Sequence, residues 1–299
     1  MITPPYLQAG DTIGIIAPAR SISEAEVAAF VGFMEEAGYK VRLGVHLYGK
    51  LDQYSGTVEE RLQDLHHMIS DDEVKAVFAA RGGYGSAQLL PRLNQELMAK
   101  NPKWLIGFSD MTAIHAVLNR QMESMHAVMP YSLAMEKPQD EESFASLLAA
   151  LRGDAFEYSL DDHHLNYAGE ASGVLVGGNL SVLYSLAGTP YEPDYEGKIL
   201  FLEDLDEYLY HIDRMILNFE LRGIFEKISG LVIGDLSDMH DNSTPFGKSA
   251  LEIITQRAHK YKLPTLFGFP AGHNKTNYTL IFGRLATLKV KEGENLLSI

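Results

Sequence analysis

A serine stands where a short apolar strand gives way to a helical pattern. Residues 104–108, WLIGF, form an apolar run typical of a buried strand, and apolar residues of 111–117 then recur at helical spacing. Ser109 lies between them, and Gly107 leaves room for a tight turn. A hydroxyl on such an elbow is accessible, and the free N–H of Asp110 stabilises negative charge developing on an oxygen. The stretch therefore predicts either a nucleophile or an ordinary helix-capping serine.

A glycine-rich segment, RGGYG at residues 81–85, follows another predicted strand at 74–79. It is neither a dinucleotide fingerprint, which needs a third glycine where Gln88 stands, nor a Walker loop, which needs Gly-Lys-Ser or Gly-Lys-Thr. Two interpretations remain open. Either the Gly82–Gly83 turn supplies an N–H beside Ser109 as half of an oxyanion hole, or the glycines only serve a tight turn.

An attacking serine needs a base, and eleven histidines are available. The pairs His66–His67 and His163–His164 stand in polar surroundings without zinc-ligand spacing, and we expect them to face solvent. His273 follows a short apolar run and two glycines, which indicates a strand-end loop of the kind that carries functional residues. It is either the base or an ordinary surface histidine.

The base in turn needs a carboxylate to orient it. Glu203 closes the apolar run KILFLE, which places it at the end of a strand. Three further acids follow closely: Asp204, Asp206 and Glu207. Composition does not choose among the four, and a solvated acidic turn is the alternative interpretation.

The elements that position these residues alternate regularly in the first part of the chain. An apolar strand at 12–17 is followed by helices that begin at capping boxes, 23–26 and 57–60. Strands alternating with helices predict right-handed βαβ units and a parallel sheet. Because sites in such sheets lie at the carboxyl ends of the strands, residues 81–85 and Ser109 should meet at one edge.

The length of 299 residues predicts two domains in an α/β protein. Residues 1–135 form the first, which carries the serine. Residues 136–168 are polar and acidic and predict a linker, with one short helix near 141–151. Residues 169–299 form a second, mixed α/β domain. This domain carries the predicted acid and base and contains a helix within 206–225.

Composition narrows the function classes. The net charge of −15 argues against nucleic-acid binding, and no apolar run is long enough to span a membrane. The absence of cysteine excludes disulfides, a thiol nucleophile and cysteine-ligated zinc. We predict no metal and no other cofactor. The N-terminal segment lacks the pattern of a signal peptide, which favours a cytosolic location.

Five motifs in chain order resemble the LD-carboxypeptidase family, serine peptidases that include the microcin-immunity hydrolases. They are GIIAPA, RGGYGSAQLL with IGFSDMTAI, GGNL, FLEDLDEYLYHIDRM and GFPAGH, and the resemblance runs from about residue 10 to 290. It implies that Ser109 is the nucleophile, that His273 is the base and that Glu203 orients it. It also implies a Rossmann-like N-terminal domain related to class I glutamine amidotransferases and a C-terminal domain with a small β-barrel.

The resemblance further implies hydrolysis of the amide between an L-configured centre and a terminal D-amino acid, typically the D-Ala of a murein tetrapeptide during cell-wall recycling. The N–H groups of Asp110 and of the Gly82–Gly83 turn would receive the oxyanion. Arg81, Arg214 and Lys275 are candidate cations for the terminal carboxylate. A homodimer is the oligomeric state that the family suggests.

Three alternatives stay open. A microcin-immunity peptidase would cleave aminoacyl-nucleotide conjugates, although the short separation between Ser109 and Glu203 favours the murein branch. A non-catalytic small-ligand binding protein is disfavoured because all three triad positions are filled. Metal-dependent carboxypeptidase chemistry is weakened because no histidine pair has ligand spacing. Arg214 has an alternative as well, a structural pairing with Asp213 or with another acid of the second domain. The segment YTLIFG at 278–283 lacks the proline that the family usually has before this glycine.

Overall fold

A computed structural model describes all 299 residues as thirteen strands and nine α-helices. The first ten elements are β1 (Thr12–Ile16), α1 (Glu24–Glu36), β2 (Lys40–Leu43), α2 (Val58–Ser70), β3 (Val74–Ala79), α3 (Gln95–Lys100), β4 (Trp104–Ile106), α4 (Thr112–Leu118), β5 (Ser124–His126) and α5 (Glu141–Arg152). The others are β6 (Glu157–Leu160), β7 (Gly169–Asn179), α6 (Leu180–Ser185), β8 (Ile199–Leu205), α7 (Leu209–Leu221), α8 (Ile224–Lys227), β9 (Gly230–Ser237), α9 (Ala250–Ala258), β10 (Thr265–Phe267), β11 (Leu280–Phe282), β12 (Leu285–Lys291) and β13 (Glu294–Ser298).

The helix starts agree with the sequence signals. Both predicted capping boxes are present, at Ser23 with Glu26 and at Thr57 with Glu60. In the second box the Glu60 N–H donates to the Thr57 hydroxyl at 3.2 Å, and the Glu60 carboxylate accepts the Thr57 N–H at 2.8 Å. These bonds satisfy N–H groups that have no partner within the helix.

The first sheet has the strand order β11-β5-β4-β3-β1-β2, in which β1 to β5 run parallel and β11 pairs antiparallel with β5. The predicted parallel arrangement is confirmed for the first five strands. The chain moves outward from β1 to β2 and then crosses to β3 on the other side of β1. Such a reversal opens a crevice at the carboxyl ends of β1 and β3, where doubly wound sheets bind ligands.

The second sheet is mixed, with the order β10-β9-β8-β7-β12-β13-β6. Strands β7 to β10 are parallel, whereas β7, β12, β13 and β6 pair antiparallel. Helices α6, α7 and α9 bury their apolar faces against the parallel part. The buried residues of α7 are Ile212, Met215, Ile216 and Phe219. These helices therefore cover one face of the parallel part of the sheet.

The chain divides into two compact units, residues 1–154 with 275–283, and residues 155–274 with 284–299. The short helix predicted near 141–151 is confirmed as α5, and it lies in the first unit. Residues 275–283 return to the first unit because β11 pairs with β5 and because the Thr276 hydroxyl donates to the Asp140 carboxylate at 2.5 Å. None of the helices combines the length and the apolar character needed to cross a membrane.

Candidate active site

Ser109 occupies a strained elbow at the end of β4. Its φ is 61°, whereas Phe108 before it is extended, and a 3₁₀ turn at Ser109–Met111 leads into α4. A non-glycine residue in this region costs about 1–3 kcal/mol and persists only where its surroundings impose it. Gly107 is one such constraint, because a Cβ there would lie 2.8 Å from Met111 Cγ. The elbow therefore holds the backbone of Ser109 in one conformation.

A buried histidine supports the elbow from below. His115 on α4 is inaccessible to solvent, with Nε2 2.8 Å from the Gly107 carbonyl oxygen and Nδ1 2.7 Å from the Ser124 hydroxyl. Burial lowers the pKa of His115 to about 4, so the ring is neutral at neutral pH. A carbonyl only accepts, which places the proton on Nε2 and makes the Ser124 hydroxyl the donor to Nδ1. The sequence analysis did not single out His115.

The glycine loop lies directly against the serine. A Cβ on Gly82 would stand 3.2 Å from Ser109 Oγ and 3.5 Å from the backbone nitrogen of Asp110. The structure thus brings together Gly82, Ser109 and the N–H of Asp110, as the positions after β3 and β4 predicted. Because no side chain intervenes, this backbone is open to a reacting group at the hydroxyl.

Two buried charged groups fasten the glycine loop. The Asp110 carboxylate accepts the Ser86 N–H at 2.8 Å, and burial raises the pKa of Asp110. From the other side the Arg61 guanidinium donates to the carbonyl oxygens of Gly85 at 3.0 Å and Pro18 at 2.8 Å. Arg61 is only 3% exposed, although its position on an amphipathic helix gave no sign of this role. Both groups fix the loop that flanks Ser109.

Arg81, a candidate cation for substrate, already has partners. Its guanidinium carbon lies 3.8 Å from the centroid of the Tyr131 ring, and one of its nitrogens lies 3.4 Å from the Glu26 carboxylate. Part of its charge is therefore balanced within the first unit.

In the second unit, a buried carboxylate contacts a histidine. Glu203 on β8 is fully buried, and its Oε2 accepts a hydrogen bond from His273 Nδ1 at 2.7 Å. The other oxygen of Glu203 is buried without a hydrogen-bond partner. The contact fixes the tautomer that leaves His273 Nε2 able to accept a proton.

Several negative charges act on His273. Burial by itself lowers the pKa of His273, but the charge and the hydrogen bond of Glu203, together with the smaller effects of Asp204 and Asp235, outweigh it and raise the pKa above 6.5. The protonated imidazole is therefore stabilised where it would form during proton transfer.

Asp204 faces a different set of groups from Glu203, since successive side chains of a strand point to opposite faces. Its carboxylate accepts from the Asn179 side-chain amide at 2.9 Å and from the Ser181 N–H at 2.8 Å. Burial raises the pKa of Asp204 to about 7, and the neighbouring Glu203 adds to the shift. Asp204 thus organises the turn from β7 into α6.

The two remaining acids of this segment have histidine partners of their own. Asp206 lies 2.5 Å from Nε2 of His240, and Glu207 lies 2.6 Å from Nδ1 of His211. Among the four acids that the sequence left open, Glu203 is the one that forms a hydrogen bond with His273.

Asp235 at the end of β9 holds the loop that carries His273. Its N–H donates to the Ala271 carbonyl at 3.0 Å, and its carboxylate accepts the Asn274 N–H at 3.1 Å. Burial raises the pKa of Asp235 to about 6. Asp235 therefore binds the backbone both before and after His273, a role that the sequence analysis did not identify.

The other predicted cations are Arg214 and Lys275. Arg214 is exposed on α7, with its guanidinium carbon 5.2 Å from the Tyr210 ring centroid. Asp213, its suggested partner, binds Arg257 at 2.7 Å instead. Lys275 is exposed in the first unit.

The expectation that both histidine pairs face solvent holds for one member of each. His67 and His164 are exposed, whereas it was wrong for His66 and His163, which are half-buried. His66 Nε2 accepts the Asn94 N–H at 3.1 Å, and the ring of His163 stacks on Phe267 at 5.7 Å between centroids. No group of three or more His, Asp or Glu side chains is arranged to hold a metal ion.

A serine on a strained elbow and a histidine bound to a buried glutamate are the parts from which serine hydrolases are built. The chain belongs to the LD-carboxypeptidase family of serine peptidases, because residues 13–127 match the LD-carboxypeptidase N-terminal domain and residues 172–288 match the C-terminal domain. The resemblance found in the sequence is confirmed, and the protein is an enzyme of this class.

Individual relatives match over nearly the whole chain. A probable murein peptide carboxypeptidase of Bacillus subtilis is 34% identical over 300 residues, which cover 97% of this chain and 92% of that protein. The microcin C7 self-immunity protein MccF of Escherichia coli is 28% identical over 93% of this chain and 90% of its own length. The crystal structure of muramoyltetrapeptide carboxypeptidase from Oxalobacter formigenes, at 29% identity, superposes with a TM-score of 0.88 over 96% of this chain and 98% of that one.

Proposed function

We propose that this protein is a serine carboxypeptidase that removes the terminal D-Ala from murein tetrapeptides, by cleaving the amide between an L-configured centre and the D-residue. The hydrogen bond of 2.7 Å between Glu203 and His273 carries the proposal, since it prepares a histidine to act as a base. The strained elbow at Ser109 supports it, as do the names of the murein-peptide relatives.

In the proposed mechanism His273 Nε2 removes the proton from Ser109 Oγ as the oxygen attacks the scissile carbonyl. Glu203 stabilises the imidazolium. The N–H groups of Asp110 and of the Gly82–Gly83 turn bind the oxyanion. When the tetrahedral intermediate collapses, the imidazolium gives its proton to the leaving amine of D-Ala. Water, deprotonated by the same histidine, then hydrolyses the acyl-enzyme and restores the serine.

The substrate is anionic, so cations have a place in its recognition. Arg81 and Arg214 remain candidates for binding carboxylates of the peptide, each by a charge-assisted hydrogen bond. Arg81 is the better placed in sequence, because it precedes the turn that flanks Ser109.

The test is to incubate the purified protein with murein tetrapeptides that differ in the third residue and to follow D-Ala by mass spectrometry. We expect release of D-Ala with formation of the tripeptide. The Ser109→Ala variant should keep the wild-type circular dichroism spectrum and release none, because alanine supplies no nucleophile. D-Ala release at the wild-type rate by this variant would remove serine from the mechanism.

The 28% identity to the microcin self-immunity protein favours one second candidate, hydrolysis of an aminoacyl-nucleotide conjugate. The same assay with such a conjugate separates the two functions through kcat/KM. We expect the tetrapeptide to be preferred, and a higher kcat/KM for the conjugate would assign the protein to the microcin-immunity branch.

The proposal includes the cellular setting and assembly that the family resemblance implied. We expect a homodimer in the cytosol, with a Rossmann-like first unit and a small β-barrel in the second. Light scattering of the purified protein tests the dimer, and a monomeric mass at micromolar concentration would reject it.

A further inference from the structure

We propose that Arg20 binds the terminal carboxylate of the peptide substrate and so selects for cleavage at the end of the chain. This inference rests on the proposed carboxypeptidase function and adds a specificity residue to it. The motifs that identified the family did not point to Arg20.

Arg20 lies where a doubly wound sheet binds ligands. Strands β1, β3 and β4 are adjacent and parallel, and their carboxyl ends lead to Arg20, to residues 81–85 and to Ser109 respectively. The chain adds β2 on one side of β1 and β3 on the other, so the order of the strands reverses at this point. The crevice of the sheet therefore opens between Arg20 and the glycine loop.

The side chain of Arg20 lies on that glycine loop. A Cβ on Gly83 would stand 2.1 Å from Arg20 Cδ and 2.5 Å from Cγ, so the arginine stem fills the space that any other residue would need. Gly83 also has a φ of +103°, which disfavours other residues. Its neighbour Gly82 flanks Ser109 Oγ. Arg20 therefore contacts the residue directly after the one that contacts the candidate nucleophile.

The charge of Arg20 is not balanced by the protein. The residue is exposed, and no ion pair and no side-chain hydrogen bond involves it. The neighbouring arginines differ, since Arg81 contacts Glu26 and Tyr131 while Arg61 donates to backbone carbonyls. In a chain with a net charge of −15, an unpaired guanidinium whose stem lies on the glycine loop that flanks Ser109 is suited to an anionic ligand.

The chemistry of the proposed reaction supplies such an anion close to the serine. In an exopeptidase substrate the terminal carboxylate follows the scissile amide by one residue, a span of about 3.8 Å along the chain. An arginine side chain bridges that span easily, and its planar fork binds a carboxylate through two parallel hydrogen bonds. A purely structural role would need only the alkyl stem that covers Gly83.

The experiment compares two substrates, the murein tetrapeptide with its free terminal carboxylate and the same peptide with a terminal carboxamide. kcat/KM is measured for both with the wild type, Arg20→Gln and Arg20→Lys. Arg152→Gln is the matched control, because it removes an exposed arginine of the first unit that pairs with Asp154 at 3.4 Å. Labelling of the serine by a fluorophosphonate reports whether the nucleophile is intact in each variant.

We expect Arg20→Gln to lower kcat/KM for the free acid by about 10- to 100-fold, mainly through KM, while its rate on the carboxamide stays within about threefold of the wild type. Arg20→Lys should recover part of the loss, and Arg152→Gln should match the wild type on both substrates. Fluorophosphonate labelling should be unchanged in all variants.

Equal kcat/KM of Arg20→Gln and the wild type on the free acid overturns the inference and leaves the proposed function intact. A loss of the same size on both substrates also overturns it, since that would mark a structural effect on the loop. A wild-type protein that releases D-Ala from no tetrapeptide overturns the proposed function and this inference together.

Discussion

The surroundings of Ser109 and of His273 are built by different means. Around Ser109 the constraints are conformational. The serine has a left-handed backbone conformation, the backbone of Gly82 lies close to it because Gly82 lacks a side chain, and the neutral His115 is buried beneath the turn. Around His273 they are electrostatic, since the carboxylates of Glu203 and Asp235 act on one imidazole. Substitutions near the serine should therefore change activity through shape, and those near the histidine should change it through charge and pH.

The largest effect is expected from Glu203→Gln. The glutamine keeps the size of the side chain but loses the charge that stabilises the imidazolium, so kcat should fall by about two to four orders of magnitude with KM little changed. Steady-state kinetics of D-Ala release measure it.

Asp206→Asn and Glu207→Gln are the matched controls, because these acids bind His240 and His211 rather than His273. Each should reduce kcat far less. A crippled control together with a near-normal Glu203→Gln would mean that the histidine is oriented by another carboxylate.

The support below the elbow is tested by His115→Leu. Leucine leaves the Gly107 carbonyl and the Ser124 hydroxyl buried with a lost partner, so the free energy of unfolding should fall by about 2–4 kcal/mol. Urea unfolding measures this change. His67→Leu on exposed α2 surface is the control and should stay within about 0.5 kcal/mol of the wild type.

The same variant has a pH signature. The pKa of His115 is lowered from 6.5 to about 4, so its contribution is present above pH 6.5 and is lost as the pH falls from 6.5 through 4. Wild-type stability should decline more steeply over this window than that of His115→Leu. Parallel curves would show that the histidine is not buried in the neutral form.

A smaller effect on activity is expected from Gly82→Ala. The added methyl would stand 3.1 Å from Ser109 Cβ and 3.2 Å from Oγ, which displaces the hydroxyl by a few tenths of an ångström. We expect kcat to fall by about 10- to 100-fold with little change in stability. Gly32→Ala on α1 is the control, since nothing lies within 4 Å of its added methyl. Wild-type turnover by Gly82→Ala would mean that this backbone does not flank the reacting group.

The smallest effect concerns pH. In the proposed mechanism the neutral imidazole of His273 is the base, and its pKa is raised, so kcat/KM should rise with pH through a value above 6.5. Asp235→Asn removes one of the charges that raise this pKa, so the rise of kcat/KM should move to lower pH by a fraction of a unit. A rise of kcat/KM that moves to higher pH in this variant would contradict the electrostatic account of the second unit.

Features set by short stretches of sequence were predictable. The capping boxes and the elbow at Ser109 each depend on residues a few places apart. The prediction that Glu203 closes its strand was wrong, because pairing with β9 extends β8 to Leu205. The positive φ of Ser109 was not predicted, although Gly107 indicated a tight turn, because that conformation is imposed by packing around the elbow.

Features set by distant partners were missed. Arg61 is a charged residue on an amphipathic helix, and its burial depends on carbonyl groups 24 and 43 positions away in the sequence. The return of residues 275–283 to the first unit depends on pairing between β11 and β5, which local periodicity does not encode. Asp235 was hidden in the same way, since its loop contacts lie more than thirty positions along the chain.

The central proposal is that His273 activates Ser109. A fluorophosphonate tests it directly, because the reagent reacts with a serine whose proton a base removes. Intact-mass spectrometry with peptide mapping should find one adduct on Ser109 in the wild type, none in Ser109→Ala, and labelling about a thousandfold slower or more in His273→Ala. An adduct on another residue, or labelling of His273→Ala at the wild-type rate, would contradict the account.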